Sequence, residues 1–229
     1  MSSPILAGPL GECCFKAVRH EGTPVGRTDM IAGIATYVSE PGSTETVQKT
    51  KVILYFADVY GPFHINNQLV QDYFASQGFV VVGIDYFLGD SFGFHTEQDF
   101  DRESWMEKSR QQALGLTPRW LNAIREKYGK SYRAIAHPGF LTEDHFRNIK
   151  KPLFISCAEY DITFPLENRR RAEDILVEVK ASYCFQIFSG VEHGFALRGD
   201  PGIGDTRWAK EESARGIANW FQRFYAEDL

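Results

Sequence analysis

Leu153-Phe154-Ile155-Ser156-Cys157-Ala158-Glu159-Tyr160-Asp161 is a nearly continuous apolar run that ends on an acid. Further on, Tyr183 to Phe188 is a second β-prone run, and Ser189-Gly190-Val191-Glu192-His193-Gly194-Phe195 follows it with a histidine. Runs of this kind, apolar without strict alternation, suit strands covered on both faces, as in parallel sheets. In open parallel sheets the ligand lies beyond the carboxyl ends of the strands, so an acid after one strand and a histidine after the next fall where chemistry is done.

Working outward, the same alternation of short β-branched runs and amphipathic segments continues along the chain. Strands are expected at Ile31–Val38, Val52–Phe56, Val80–Ile84, Tyr132–Ala136, Leu153–Cys157 and Tyr183–Phe188. Between them, Ile65–Gln77 sets Ile65, Leu69, Tyr73 and Phe74 on one helical face and stops at Gly78. Thr117 and Pro118 form a cap and first-turn pair ahead of Trp120, Leu121, Ile124 and Tyr128. Thr142 opens a short helix, Pro165 a longer one, and the last runs from about Arg207 through Ile217, Trp220, Phe221 and Phe224. The expectation is one α/β domain over residues 1–229, a mostly parallel twisted sheet flanked by helices.

Composition narrows the function classes. The chain has 229 residues, 43% of them hydrophobic and 24% charged, enough to bury a full core. Its net charge is −5, and Lys and Arg are scattered, so the basic stripe required by nucleic acid or an anionic membrane is missing. A small-molecule substrate is the expected partner, with oligomeric state left open. Met1 to Gly11 lacks a basic start and apolar run, and no stretch approaches the roughly 18 apolar residues of a membrane span, which reads as a soluble, cytoplasmic protein. Cys13, Cys14, Cys157 and Cys184 read as free thiols, and the six histidines show no metal-ligand spacing, so neither metal nor cofactor is expected.

Asp161 and His193 follow the chain order acid then histidine that, in α/β hydrolases, comes after an earlier nucleophile. The histidine takes the nucleophile's proton, and the carboxylate fixes its tautomer and stabilises the imidazolium. Each has a bland alternative: Asp161 as a turn or capping residue ahead of Pro165, His193 as an ordinary loop histidine.

The wording of several segments resembles the dienelactone hydrolase family, especially its fungal branch. The resemblance runs through His20-Glu21-Gly22-Thr23-Pro24-Val25-Gly26, the Asp58 loop, Asp85-Tyr86-Phe87, Ala136-His137-Pro138-Gly139-Phe140, Cys157 to Asp161, and Ser189 to Asp200, covering nearly the whole chain. It implies an α/β-hydrolase fold and a Cys-His-Asp triad that opens lactones and related esters, with a role in fungal secondary metabolism. By the same resemblance Asp58 is the first-loop acid that controls the nucleophile, the Val59 N–H is an oxyanion-hole donor, and Arg198 faces a substrate carboxylate. Arg198 has the alternative of a surface ion pair with Asp200. The second carboxylate-binding arginine expected after the Asp85 strand is absent, since Tyr86 to Phe94 contains none.

The nucleophile itself is missing. The family's Gly-x-Cys-x-Gly turn occurs nowhere, nor does Gly-x-Ser-x-Gly. Instead Ser131-Tyr132-Arg133-Ala134, like the start of a nucleophile strand, runs directly into Ile135-Ala136-His137-Pro138, like the end of the next, as though one βα unit were removed at Ala134/Ile135. Cys157 at a strand end and Cys184 inside a strand read as core residues, and the resemblance gives Cys13 and Cys14 no catalytic role. Three expectations follow: a sheet shortened by one strand, reduced solubility and melting temperature relative to an intact relative, and impaired covalent hydrolysis. Two other functions fit the same residues. One is a non-catalytic binding or regulatory protein that keeps the pocket; the other is an isomerase or cyclase with His193 as general base.

Overall fold

A computed structural model describes residues 3–42, 51–128 and 133–227. In chain order the elements are β1 (Ile5–Ala7), β2 (Arg27–Ile31), β3 (Ile34–Ser39), β4 (Val52–Tyr55), α1 (Ile65–Ser76), β5 (Val80–Ile84) and α2 (Arg102–Tyr128). They continue with β6 (Arg133–Ala136), β7 (Leu141–Thr142), α3 (Glu143–Arg147), β8 (Leu153–Tyr160), α4 (Leu166–Glu178), β9 (Tyr183–Glu192), α5 (Phe195–Arg198) and α6 (Gly204–Glu227). The chain divides into two compact units, residues 20–131 and residues 1–19 with 132–229.

The unit of residues 20–131 carries a four-stranded sheet in the order β2-β3-β5-β4. β4 and β5 are parallel, with Val52 opposite Val80, whereas β3 and β5 are antiparallel. Its core joins Ile34, Val38, Val52, Val82 and Ile84 to Trp120 and Ile124 of α2. The Trp120 indole donates to the Thr36 hydroxyl at 2.9 Å, so the one polar atom of a fully buried ring is satisfied. Two sequence expectations are corrected here. Ile31–Val38 is two strands joined by a tight turn at Ala32 and Gly33, whose φ values of 52° and 72° are those of a primed hairpin turn. Thr117-Pro118 opens no helix: α2 begins at Arg102, where the Asp101 carboxylate accepts from the Ser104 N–H at 3.1 Å, and passes through Pro118. The hydrogen bond lost at the proline would have gone to the carbonyl of exposed Leu114, which solvent can satisfy, while Trp105, Trp120 and Ile124 hold the buried face.

The other unit carries a parallel three-stranded sheet, β6-β8-β9, and a small antiparallel pair, β1 with β7. β8 is central, with Leu153 to Ala158 all buried. One cluster packs Leu6, Phe146, Leu153, Ile155, Phe164, Ile175 and Leu176, joining β8 to α3 and α4. A second packs Ala158, Phe188, Val191, Phe195 and Ala209. The Ala134/Ile135 junction lies inside β6, whose residues pair one for one with Leu153 to Ser156. Among the described residues the strands form separate sheets, with β4 and β6 each at an edge, rather than one sheet shortened by a strand.

Candidate active site

Asp161 follows β8 and His193 follows β9, and since the two strands are parallel neighbours both residues emerge at the same carboxyl end. A bulge between Ala158 and Tyr160 shifts the register there, and the His193 N–H is anchored to the Tyr160 carbonyl at 3.1 Å. The imidazole Nδ1 stands 2.9 Å from Asp161 Oδ1 and 3.0 Å from Oδ2, with the two side chains only 4% and 2% exposed. Asp161 does also cap the turn before α4, its Oδ1 accepting from the backbone N–H of Thr163 at 2.9 Å and of Phe164 at 3.0 Å. The capping alternative and the pairing with His193 are therefore both true of one carboxylate. Burial pushes its pKa up, but hydrogen bonds from His193, Thr163 and Phe164 outweigh that and hold it below the usual carboxylate value. Deprotonated Asp161 fixes the tautomer with the proton on Nδ1, and the ring's hydrogen bonds among the described residues leave Nε2 free to act as a base.

Thr163, which sequence reasoning missed, closes the cluster. Its hydroxyl lies 2.7 Å from Asp161 Oδ1, 3.0 Å from the Pro138 carbonyl and 2.9 Å from His193 Nδ1. His137, a second residue that no local pattern singles out, has its ring centre 5.0 Å from that of His193 at 70°. It is 7% exposed, has φ of 35° outside the usual range for a non-glycine residue, and leaves Nε2 buried with no hydrogen-bond partner. An unsatisfied buried nitrogen costs ~1–3 kcal/mol, so this one calls for a reason. Burial, with Arg198 and His193 beside it, pushes the His137 pKa well below the ordinary value and keeps the ring neutral. The sequence signal for it was a histidine directly after a strand in a parallel sheet.

Arg198 lies on α5, buried at 6% exposure, and the Asp200 carboxylate accepts from the Gly202 N–H at 2.7 Å. Gly194, at φ 91°, is needed twice over, because its backbone is left-handed and a Cβ there would collide with the Arg198 guanidinium. Its carbonyl accepts from the Arg198 N–H at 2.8 Å, while the Arg198 carbonyl accepts from Val18 at 3.2 Å.

Asp58 and Val59 belong to the other unit. The Asp58 carboxylate accepts from Asn67 Nδ2 at 3.0 Å and from the Tyr60 N–H at 3.2 Å, which makes it the cap of a tight turn. Val59 is buried and its carbonyl accepts from Phe92 at 2.9 Å. Of the thiols, Cys157 is pushed up to about 12 by burial and Cys14 to about 11, and Cys184 is also raised by burial. None of the four cysteines is a hydrogen-bond partner of His193. Ser131 and Tyr132, at the start of the expected nucleophile strand, lie outside the described residues. Among the described residues no group of three or more potential ligands could hold a metal ion, and no helix is long and apolar enough to cross a membrane.

Strands, carboxyl-end acid and carboxyl-end histidine together define an α/β-hydrolase. Solved structures agree on the fold: a Klebsiella pneumoniae protein assigned to the dienelactone hydrolases superposes with TM-score 0.67 at 10% identity over 88% of this chain and 99% of its own. A dienelactone hydrolase-like promiscuous phosphotriesterase from metagenomic libraries gives 0.60 at 16% identity, over 88% and 99%. The profile of the Dienelactone hydrolase family matches residues 122–225. Dienlactone hydrolase 2 of Gibberella moniliformis is 34% identical over 227 residues, 95% of this chain and 96% of its own. Dienlactone hydrolase 1 of the same fungus is 31% identical over 261 residues, 100% of this chain and 99% of its own. The chain belongs to the dienelactone hydrolase family.

Proposed function

We propose that this protein acts on a small-molecule lactone or carboxylic ester, without metal or cofactor, and that it has lost the family's covalent route while keeping the base. The observation that carries this is His193, its Nδ1 held by Asp161 and its Nε2 left free of protein partners, with no thiol bonded to it. A base so placed draws a proton from water rather than from a nucleophile, and water attacks the carbonyl directly. General-base catalysis contributes ~10²–10⁴-fold, far below what a complete triad and oxyanion hole supply. The alignment with Dienlactone hydrolase 1 runs over 261 residues against 229 in this chain, so that relative carries residues with no counterpart here, which supports a lost segment. Buried Arg198, five residues past His193, is read as the receptor for a substrate carboxylate, and Asp58 and Val59 as first-loop contributors. The reading takes 1–229 as one hydrolase-type domain in the cytoplasm. It extends to fungal secondary metabolism, for which the fungal origin of the similar proteins is the support.

The test is pre-steady-state hydrolysis of p-nitrophenyl acetate and of an aromatic lactone. Slow, linear product release that His193→Ala abolishes is expected. A burst equal to the enzyme concentration, with an acylated cysteine found by mass spectrometry, would overturn the loss of the covalent route.

A further inference from the structure

We propose that Thr163 is a positioning residue of the base: its hydroxyl holds the His193 ring against Asp161 and ties both to the loop that follows β6. The inference rests on the general-base reading above and adds a residue to it. Thr163 is 2% exposed, so bulk water does not compete for its hydroxyl. Three groups lie within hydrogen-bond reach of Oγ1, Asp161 Oδ1 at 2.7 Å, His193 Nδ1 at 2.9 Å and the Pro138 carbonyl at 3.0 Å.

These neighbours call for a group that both donates and accepts. The Asp161 carboxylate and the Pro138 carbonyl only accept, so the single hydroxyl proton goes to one or the other. His193 Nδ1 stands within 3.0 Å of three oxygens, Asp161 Oδ1, Asp161 Oδ2 and Thr163 Oγ1, and carries its proton toward them. Oγ1 therefore meets that proton with a lone pair. Of the small side chains, serine and threonine do both strongly, whereas valine has the shape of threonine and does neither.

The hydroxyl is itself held from several directions. The Thr163 N–H donates to Asp161 Oδ1 at 2.9 Å, and the Thr163 carbonyl accepts from the Gly8 N–H at 2.6 Å. The Gly8 carbonyl in turn accepts from the Phe140 N–H at 2.9 Å, two residues past Pro138. Gly8, the loop after β6 and the turn after β8 thus close a ring of hydrogen bonds through Thr163, and the pairing of β1 with β7 braces that ring next to Gly8. Oγ1 is fixed by backbone on all sides.

With the imidazole neutral, the short contact to the charged Asp161 oxygen draws the hydroxyl proton there. When Nε2 takes a proton from water the ring becomes positive, and the hydroxyl proton turns to the Pro138 carbonyl, which leaves Asp161 and Oγ1 both facing Nδ1–H. No heavy atom moves, because a hydroxyl hydrogen rotates to suit its acceptors. The proton on Nε2 then passes to the departing oxygen of the ester or lactone, and the hydroxyl turns back. Thr163 holds the imidazole in one orientation through both charge states.

Thr163→Val removes the hydroxyl and keeps the shape, while Thr163→Ser removes the methyl group and keeps the hydroxyl. Turnover of an aromatic lactone is measured for wild type, both variants and His193→Ala. Thr163→Val is expected to lose about 10-fold in kcat with KM within about two-fold, and Thr163→Ser to stay within about three-fold of wild-type kcat. Thr163→Ala, which also lacks the hydroxyl, carries the test if the valine variant fails to fold. Wild-type kcat without the hydroxyl, while His193→Ala is inactive, overturns this proposal and leaves the general-base reading standing. So does a serine variant as slow as the valine one, because packing of the methyl group would then be the cause. If His193→Ala is as active as wild type, the general-base reading falls and this proposal with it.

Discussion

Each compact unit holds one histidine against a carboxylate, and the two pairs differ in what they leave over. In the pair of Asp161 and His193 one ring nitrogen is spent on the acid, both side chains are under 5% exposed, and the other nitrogen is free. In the pair of Asp90 and His95 both nitrogens are spent, Nε2 on Asp90 at 2.9 Å and Nδ1 on Glu97 at 3.4 Å, while the ring stacks on Phe100 at 3.9 Å. Lys108 at 2.7 Å, ahead of His95, holds the Asp90 carboxyl below its usual value, so that carboxylate serves two partners. An acid beside a histidine is therefore no functional signature by itself. What distinguishes a base from a brace is the unspent nitrogen and the dry surroundings that strengthen its partner's hold.

Turnover should separate the pairs most widely. Asp161→Asn, which keeps the shape but no longer enforces the tautomer, is expected to lose about 10²-fold or more in kcat for a lactone substrate. His95→Gln is expected to leave kcat unchanged, because neither of its nitrogens is available to substrate. Equal losses in both would break the comparison.

Stability should separate them next. Asp161→Ala strips a buried acceptor from His193, Thr163 and Phe164, and breaking a buried pair by removing one partner costs ~3–5 kcal/mol. Asp90→Ala removes a carboxylate whose side chain is 34% exposed, and solvent screening limits the loss to about 1 kcal/mol. Guanidinium unfolding of the two variants checks the ratio.

The pH dependence sharpens the picture within the unit that holds His193. His137 has a folded pKa depressed below 6.5, so as pH falls through 6.5 the unfolded chain takes up a proton that the folded one refuses. Stability is then lost by about 1.4 kcal/mol for each pH unit below that point until the folded ring also titrates. Arg198 and His193 face the ring, and both push its pKa in the same direction as burial does. Asp161 adds its own loss only lower, as pH falls below 3.8 toward its depressed folded value. His137→Asn should flatten the first limb and leave the second. A wild-type stability that is level between pH 6.5 and 5 would contradict the burial of a neutral ring.

How much of this the sequence carried depends on the kind of evidence each residue needed. The strands over Val80–Ile84 and Leu153–Cys157 were legible because burial on both faces demands unbroken apolar runs. Asp161 and His193 were legible because they follow adjacent strands. Thr163 and His137 were not, since their roles come from approaches across the chain, 30 residues for Thr163 to His193, that no local pattern encodes. The hairpin at Ala32 and Gly33 was missed because an alanine at φ 52° carries no turn signal of its own. Pro118 misled for the opposite reason: its local meaning, a helix start, was overridden by Trp105 and Trp120 packing along one continuous helix.

The smallest expected effect concerns the ionic network on the surface of the same unit as His193. Glu143 accepts from Arg147 at 2.8 Å and Arg171 at 2.9 Å, and Glu178 accepts from the same two arginines at 3.0 and 2.9 Å, tying α3 to α4. By count of ion pairs this network exceeds the single buried pair of Asp161 and His193. By physics it should matter far less, because Glu178 is 47% exposed and water competes for each of its contacts. Glu178→Gln keeps one acceptor oxygen and loses only the charge, so its effect on unfolding is expected to be barely measurable and to vanish in high salt. A loss of the size seen for Asp161→Ala would mean that the two arginines are desolvated, and that the network, rather than the buried imidazole pair, fixes this unit's stability.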